Sequence, residues 1–229
     1  MSEFQDAPAA PVPAWRRPTR GERRWPVQVT VVALVALQLR LPAHLALGSR
    51  WALPAVEAAL MVALTVANPV RMDRASSWFR RTSLLLVAVA SVANGASAVL
   101  LVDHLVRGRA TRSPGGLLFE GAAVYLTNVV TFALWYWELD RGGPLSRKEG
   151  RDTDVDFLFP QMASPDVAPA DWEPTFPDYL YLSFTNSTAF SPTDTMPWTR
   201  WAKMLMLAQS ATALCIAALV IARAVNILP

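Results

Sequence analysis

The sequence predicts an all-α integral membrane protein: five transmembrane helices plus a re-entrant, pore-like half-helix between helices 4 and 5. Three observations lead there. Hydrophobic residues make up 53% of the chain against 17% charged, and they are gathered into long blocks. Several blocks reach or approach the roughly 20 residues that cross a hydrocarbon core of about 30 Å. The links between blocks are short and rich in arginine, as expected of membrane-orienting charge. Between the fourth and the last block, an apolar-aromatic run passes into hydroxyl and amide residues before the final long helix begins. Inside a membrane, polar backbone leaves a helix only where protein or a water-filled cavity surrounds it.

The chain accordingly divides into a disordered basic tail (1–24), a three-helix transmembrane region with its loops (25–116) and a pore-loop-like module (117–229) of outer helix, acidic loop, half-helix and inner helix. The expected partner is the lipid bilayer. The net charge of +3, with no basic stripe interleaved with aromatics, offers nothing to nucleic acid. One cysteine, Cys215, sits in the last apolar block and reads as a packing residue, so no disulfide framework and no thiol metal site is expected.

The tail ends in Arg16, Arg17, Arg20, Arg23 and Arg24 and lacks apolar periodicity, which predicts disorder at the membrane surface. It is long, and the run after it is of full helix length, so the first block reads as an uncleaved span rather than a signal peptide. That span covers residues 25–47, with Trp25 at an interface and Pro26 in the first turn, where its missing N–H costs nothing. The second, residues 51–70, follows after only Gly48, Ser49 and Arg50 and must be its antiparallel neighbour. Arg40 and His44 share a face of the first span. Arg40 and Glu57 come at matching depth and are expected to form an intramembrane ion pair, either an ion relay or a buried tie between helices; we favour the tie.

The third span, residues 82–106, follows an arginine-rich link (71–81) and carries Ser91, Asn94, Gly95 and Ser97, small and polar residues suited to close helix packing. Asp103 and His104 close it near the other interface. A loop with Arg107, Arg109 and Arg112 leads to the fourth span, residues 117–138, which holds Glu120 and Asn128 and ends in the belt Trp135, Tyr136, Trp137. Glu138 to Pro144 combine charges with two glycines and a proline, predicting an ordered interfacial corner in which Glu138 or Asp140 pairs with Arg141 or Arg147. Residues 146–177 form a long acidic loop. Its run Asp152, Thr153, Asp154, Val155, Asp156 imitates a calcium loop, but Phe157 stands where glycine is needed and Ala163 where a bidentate glutamate is needed. No metal site follows. Carboxylates above a pore mouth would raise local cation concentration; a solvated acidic loop is the plainer reading.

Pro177 and Asp178 suit a helix start, and residues 179–188 make a half-helix about ten residues long, too short to span. Its carboxyl end would turn a partial negative charge toward the centre, which suits a cation. The pore and filter candidates are Thr185, Asn186, Ser187, Thr188, Ser191, Thr193 and Asp194, the last supplying a negative ring if repeated by symmetry. A second reading stays open for Asp194. Ser191, Pro192, Thr193 and Asp194 also spell an N-terminal capping box. In the last span, residues 198–228, Gln209 and Thr212 lie three apart and are expected to line the water-filled side.

Tyr181 to Thr188, followed by Asp194, Pro197 and an apolar helix, resembles the pore-loop segment of the tetrameric potassium-channel superfamily. The resemblance covers about the last quarter of the chain, or a third if the fourth span stands for the outer helix. It implies a pore helix, an acidic residue beyond a filter, and a pore-lining inner helix. Potassium filters carry glycines that let carbonyls face the ion; here Ala189, Phe190, Ser191, Pro192 and Thr193 hold none, so potassium selectivity does not carry over. The runs from Trp135 to Pro144 and from Ser183 to Pro197 also resemble features shared by a group of uncharacterised bacterial membrane proteins, which implies the architecture and supplies no activity.

Nine arginines in the tail and the 71–81 link, against four in the two opposite short loops, favour tail, acidic loop and half-helix on the cytoplasmic side, the glutamate-receptor arrangement. Potassium channels put theirs outside, so the side that the half-helix faces stays open between these two readings. The expected function is passive passage of monovalent or divalent cations through a homo-oligomer, a tetramer if channel-like, in the bacterial inner membrane. The alternative is a multi-pass membrane scaffold or accessory protein whose half-helix only packs. No cofactor is implied. No Ser-His pair, His ligand set or buried aspartate pair points to an enzyme.

Overall fold

The computed structural model describes residues 12–67, 77–109, 113–151, 154–191 and 194–227. Eight helices are described: α1 Trp25–Arg40, α2 Ala52–Ala67, α3 Ser77–Val106, α4 Pro114–Leu139, α5 Pro144–Glu149, α6 Pro160–Ala163, α7 Phe176–Ala189 and α8 Arg200–Ile227. β1 (Phe157–Leu158) pairs antiparallel with β2 (Met196–Pro197), Phe157 opposite Pro197 and Leu158 opposite Met196.

The first helix stops earlier than the predicted residue 47. Pro42 disfavours helical geometry at the residue before it, and Leu41 is extended, at φ −65° and ψ 142°. A short 3-10 turn, Ala43–Leu45, follows, and Ser97 Oγ holds it by donating to Leu45 O at 2.8 Å. α1 and α2 run antiparallel as expected: Gln28 Nε2 donates to Thr65 Oγ1 and Gln38 Nε2 to Glu57 Oε1, both at 3.0 Å. The expected Arg40–Glu57 ion pair is not formed. Arg40 sits in the last turn of a helix cut short by Pro42 and is exposed, so Gln38 takes the place beside the fully buried Glu57.

α3 begins five residues before the predicted start, which brings Trp78, Phe79, Arg80 and Arg81 into the helix. It lies antiparallel to α4, joined by Asn94 Nδ2 to Asn128 Oδ1 at 3.1 Å and Trp135 Nε1 to Ser91 Oγ at 2.7 Å. Among the described residues three helical stretches are long and apolar enough to cross a membrane: Trp78–Val106, Pro114–Glu149 and Arg200–Asn226. α1 and α2 are apolar but 16 residues each. At 1.5 Å per residue each measures about 24 Å, short of a core of about 30 Å. The chain is thus all-helical, with apolar helices that fit a membrane protein.

α4 is the post around which the others stand, with 67% of its most apolar window buried against 28% for α8. α8 lies antiparallel to it. Tyr136 meets Gln209 near one end and Gly121 meets Val220 near the other, where a Cβ on Gly121 would come within 2.7 Å of Val220. α7 also runs opposite to α4, since Tyr179 reaches Asp140 and Ser183 reaches Val129. α7 and α8 therefore point the same way. The chain between them, residues 190–199, must return to the end from which α7 set out, and there β2 ties it to β1 and Trp198 N donates to Asp156 O at 2.7 Å.

The basic tail is not loose over residues 12–24. Ala14, Trp15 and Arg24 are buried, and Thr19 N donates to Lys148 O at 2.8 Å. A short apolar stretch around Trp15 is enough to dock it on the corner after α4. Residues 1–11 of the predicted tail, Arg71 and Arg74 of the link, Arg112, Asp152 and the filter candidate Thr193 lie outside the described residues.

Candidate pore-loop site

The half-helix starts where the sequence marks it. Thr175 and Asp178 form a capping box, with Thr175 N and Oγ1 donating to Asp178 Oδ2 at 2.8 and 2.9 Å, and Pro177 in the first turn needs no N–H partner. Its 14 residues measure about 21 Å, less than a full crossing. The helix ends at Phe190, held in the left-handed region at φ 54°. A bulky residue there costs roughly 1–2 kcal/mol, a local strain where the chain turns back.

The sequence candidates separate into two sets. Ser183, Asn186, Ser187 and Gln209 are buried in one network between α7, α4 and α8. Gln209 Nε2 donates to Ser183 O (3.0 Å), Ser183 Oγ (2.5 Å) and Ser187 Oγ (2.8 Å). Gln209 Oε1 accepts from Asn186 Nδ2 at 2.8 Å and from Tyr136 OH. Asn186 Nδ2 also donates to Met206 O at 3.1 Å, and Ser210 Oγ donates to Asn186 Oδ1 at 3.1 Å. Every polar group of this lock is spent inside one chain. Gln209 therefore does not line a water-filled side, and Asn186 and Ser187 face inward. A signal for this was present: Gln209 lies on the small and apolar stripe Ala202, Met206, Ala213, Ile216 and Val220 that α8 turns toward α4.

The second set faces outward. Thr185 is half-buried and Thr188 exposed, their hydroxyls donating back to Tyr181 O at 2.9 Å and Phe184 O at 3.0 Å. Thr212 is half-buried and bonds back to Ala208 O. Ser191 and Asp194 are exposed on the return segment, and Thr195 Oγ1 donates to Asp194 Oδ1 at 3.4 Å. The capping-box reading of Asp194 fails. α8 begins six residues further on, at Arg200, because Met196 and Pro197 are held in β2. Asp194 thus lies in a bend beyond the carboxyl end of α7, where the side chain adds negative charge to that of the helix end.

The corner after α4 positions this assembly. Arg141 adopts φ 49° and Gly143 φ 93°; a Cβ on Gly143 would lie 2.7 Å from Glu138 O. The fully buried Asp140 accepts from Tyr179 OH at 2.6 Å, Phe157 N at 3.3 Å and Arg141 Nε at 3.4 Å. Arg147 Nη1 donates to Trp137 O and Asp140 O at 2.7 and 2.9 Å, while Glu138 accepts from Ser83 Oγ. The predicted pairing of Asp140 with Arg141 is present, and Arg147 serves carbonyls instead. Asp156, expected to be a solvated loop carboxylate, accepts from Arg141 N at 2.8 Å and Trp201 Nε1 at 2.9 Å, tying the corner to α8.

The N-terminal arm completes the corner, which the sequence did not announce. Trp15 O accepts from Arg141 Nη1 at 2.6 Å. Glu22 bridges α4 and α7 by accepting from Trp137 Nε1 and, at 2.8 Å, from Phe176 N. Burial pushes the Glu22 carboxyl up from its ordinary 4.5 to about 7, against the opposing pull of Arg147 and the two hydrogen bonds. Among the described residues no group of three or more His, Cys, Asp or Glu is arranged to hold a metal. The chain matches no family model, and no curated protein or solved structure is detectably similar to it.

Proposed function

We propose that the chain is an ion-channel-like protein of the bacterial inner membrane, with five spans and α7 as a re-entrant half-helix, in which cations pass passively where the return segments of a homo-oligomer meet. One observation carries this reading: α7 and α8 run the same way, both opposite to α4, with Ser191 and Asp194 exposed on the segment that returns between them. A single such segment cannot encircle an ion, so symmetry supplies the ring. The polar lock at Gln209 fixes the half-helix behind the return segment, and the corner fixes both ends. The short apolar helices α1 and α2 are read as the other two crossings. The arginine asymmetry supports a cytoplasmic side for the arm, the corner and the half-helix start.

The test is cation flux from liposomes holding purified protein of known oligomeric state, wild type against Asp194→Ala. A closed ring with flux that Asp194→Ala reduces or makes less cation-selective is expected; a monomer, or flux indifferent to Asp194, overturns the proposal. The second reading, a membrane scaffold whose half-helix only packs, is favoured by the complete internal satisfaction of Asn186, Ser187 and Gln209. A folded oligomer without flux to any alkali or alkaline-earth cation decides for it.

A further inference from the structure

Glu57 lies on α2 with no exposed surface, facing α1 rather than lipid. Its Oε1 accepts from Gln38 Nε2 at 3.0 Å, while Glu57 Oε2 and Gln38 Oε1, both closed off from solvent, have no hydrogen-bond partner. The two orphaned atoms belong to the same pair of side chains, and as a carboxylate and an amide carbonyl both are acceptors. No ion pair to Glu57 is formed among the described residues, and Arg40 is exposed. A buried carboxylate with one neutral hydrogen bond and no cation is far costlier than the neutral acid. A proton on Oε2 removes that charge and supplies the donor that Gln38 Oε1 lacks, closing an acid–amide pair with reciprocal bonds.

We propose that Glu57 is a protonated carboxyl held between α1 and α2 by Gln38, a buried proton-binding site. A cavity of about 20 Å³ beside Gln38, lined by Leu41, Leu45, Ser49, Arg50 and Ser97, has room for a single water between the loop after α1 and Gln38. The site lies outside the 117–229 module and stands apart from the pore reading.

The experiment uses the full chain in liposomes at neutral pH, with the carboxyl carbonyl stretch followed by infrared in H2O and D2O. The difference between wild type and Glu57→Gln, which preserves shape and neutrality, should show a protonated-carboxyl band that shifts in D2O, the contribution of Glu22 being common to both proteins. Gln38→Leu should keep the band but move it to higher frequency, because the carbonyl loses its hydrogen bond. Absence of such a band from the difference overturns the protonated state. A band at the same frequency in Gln38→Leu overturns the pairing.

Discussion

Replacing Glu22 by glutamine tests whether the N-terminal arm is a titratable clamp on the half-helix. The carboxyl binds its proton more tightly in the folded protein, at about 7 against an ordinary 4.5. Its contribution is therefore full below about pH 4.5 and is lost as pH rises through about 7. At about 1.4 kcal/mol per tenfold in proton affinity, the folded state loses up to about 3 kcal/mol between those limits. Glutamine abolishes the titration but keeps only one acceptor for the two donors, Trp137 Nε1 and Phe176 N, at a cost of about 1–2 kcal/mol. The two effects oppose each other, so the stability curves should cross. Near pH 4 Glu22→Gln should be the weaker by about 1 kcal/mol, and near pH 8 the stronger by about 1–2 kcal/mol. Reversible unfolding in mixed micelles, followed by the fluorescence of tryptophans that include Trp137, measures both. Parallel curves from pH 4 to pH 8 would refute the proton-binding clamp.

Four further substitutions probe the scaffold. Gly143→Ala should cost about 1–3 kcal/mol and loosen the corner, since φ is 93° and the added methyl would meet Glu138 O at 2.7 Å; tryptic release of the arm should rise. Gln209→Leu strips partners from Ser183, Ser187, Asn186 and Tyr136 together, and at about 1–3 kcal/mol for each buried group left unsatisfied it should unfold or release α7, read as hydrogen exchange along Phe176–Ala189. A merely pore-lining glutamine would leave that exchange unchanged. Gly121→Leu forces a branched side chain into a contact already at 2.7 Å from a single Cβ, so a loss of about 1–3 kcal/mol is expected, while Arg40→Ala, on an exposed residue, should stay within about 0.5 kcal/mol in the same unfolding assay.

The elements whose signals are local were legible. Pro177, Asp178 and the polar run after Phe184 mark a helix that starts and stops within itself, and α7 starts one to three residues from where they put it. The antiparallel first pair follows from a short link, and the ordered corner from two glycines and a proline. What escaped depends on partners distant in sequence. The Ser191–Asp194 pattern is a good helix cap taken alone, but β1, about forty residues earlier, holds Met196 and Pro197 extended and delays α8. Gln209 looks alike whether water or Asn186 waits for its amide, and only the buried stripe on α8 chooses. Arg40 and Gln38 differ by two residues, a rotation of about 200° on a helix, and the Pro42 stop decides which of them faces Glu57.

The docking of the arm also sets an order of events in synthesis. Arg141 reaches back 126 residues to Trp15, and Phe176 lies 154 residues beyond Glu22. At about 5–20 residues per second, the arm leaves the ribosome roughly ten to thirty seconds before its last partner is made. Arg141 can meet Trp15 earlier in that interval, but Glu22 must wait for Phe176. The arm is therefore engaged in two stages, first by the corner and then by the start of α7. The bond from Phe176 to Glu22 is in effect a mark that synthesis has passed the corner and begun the final quarter of the chain.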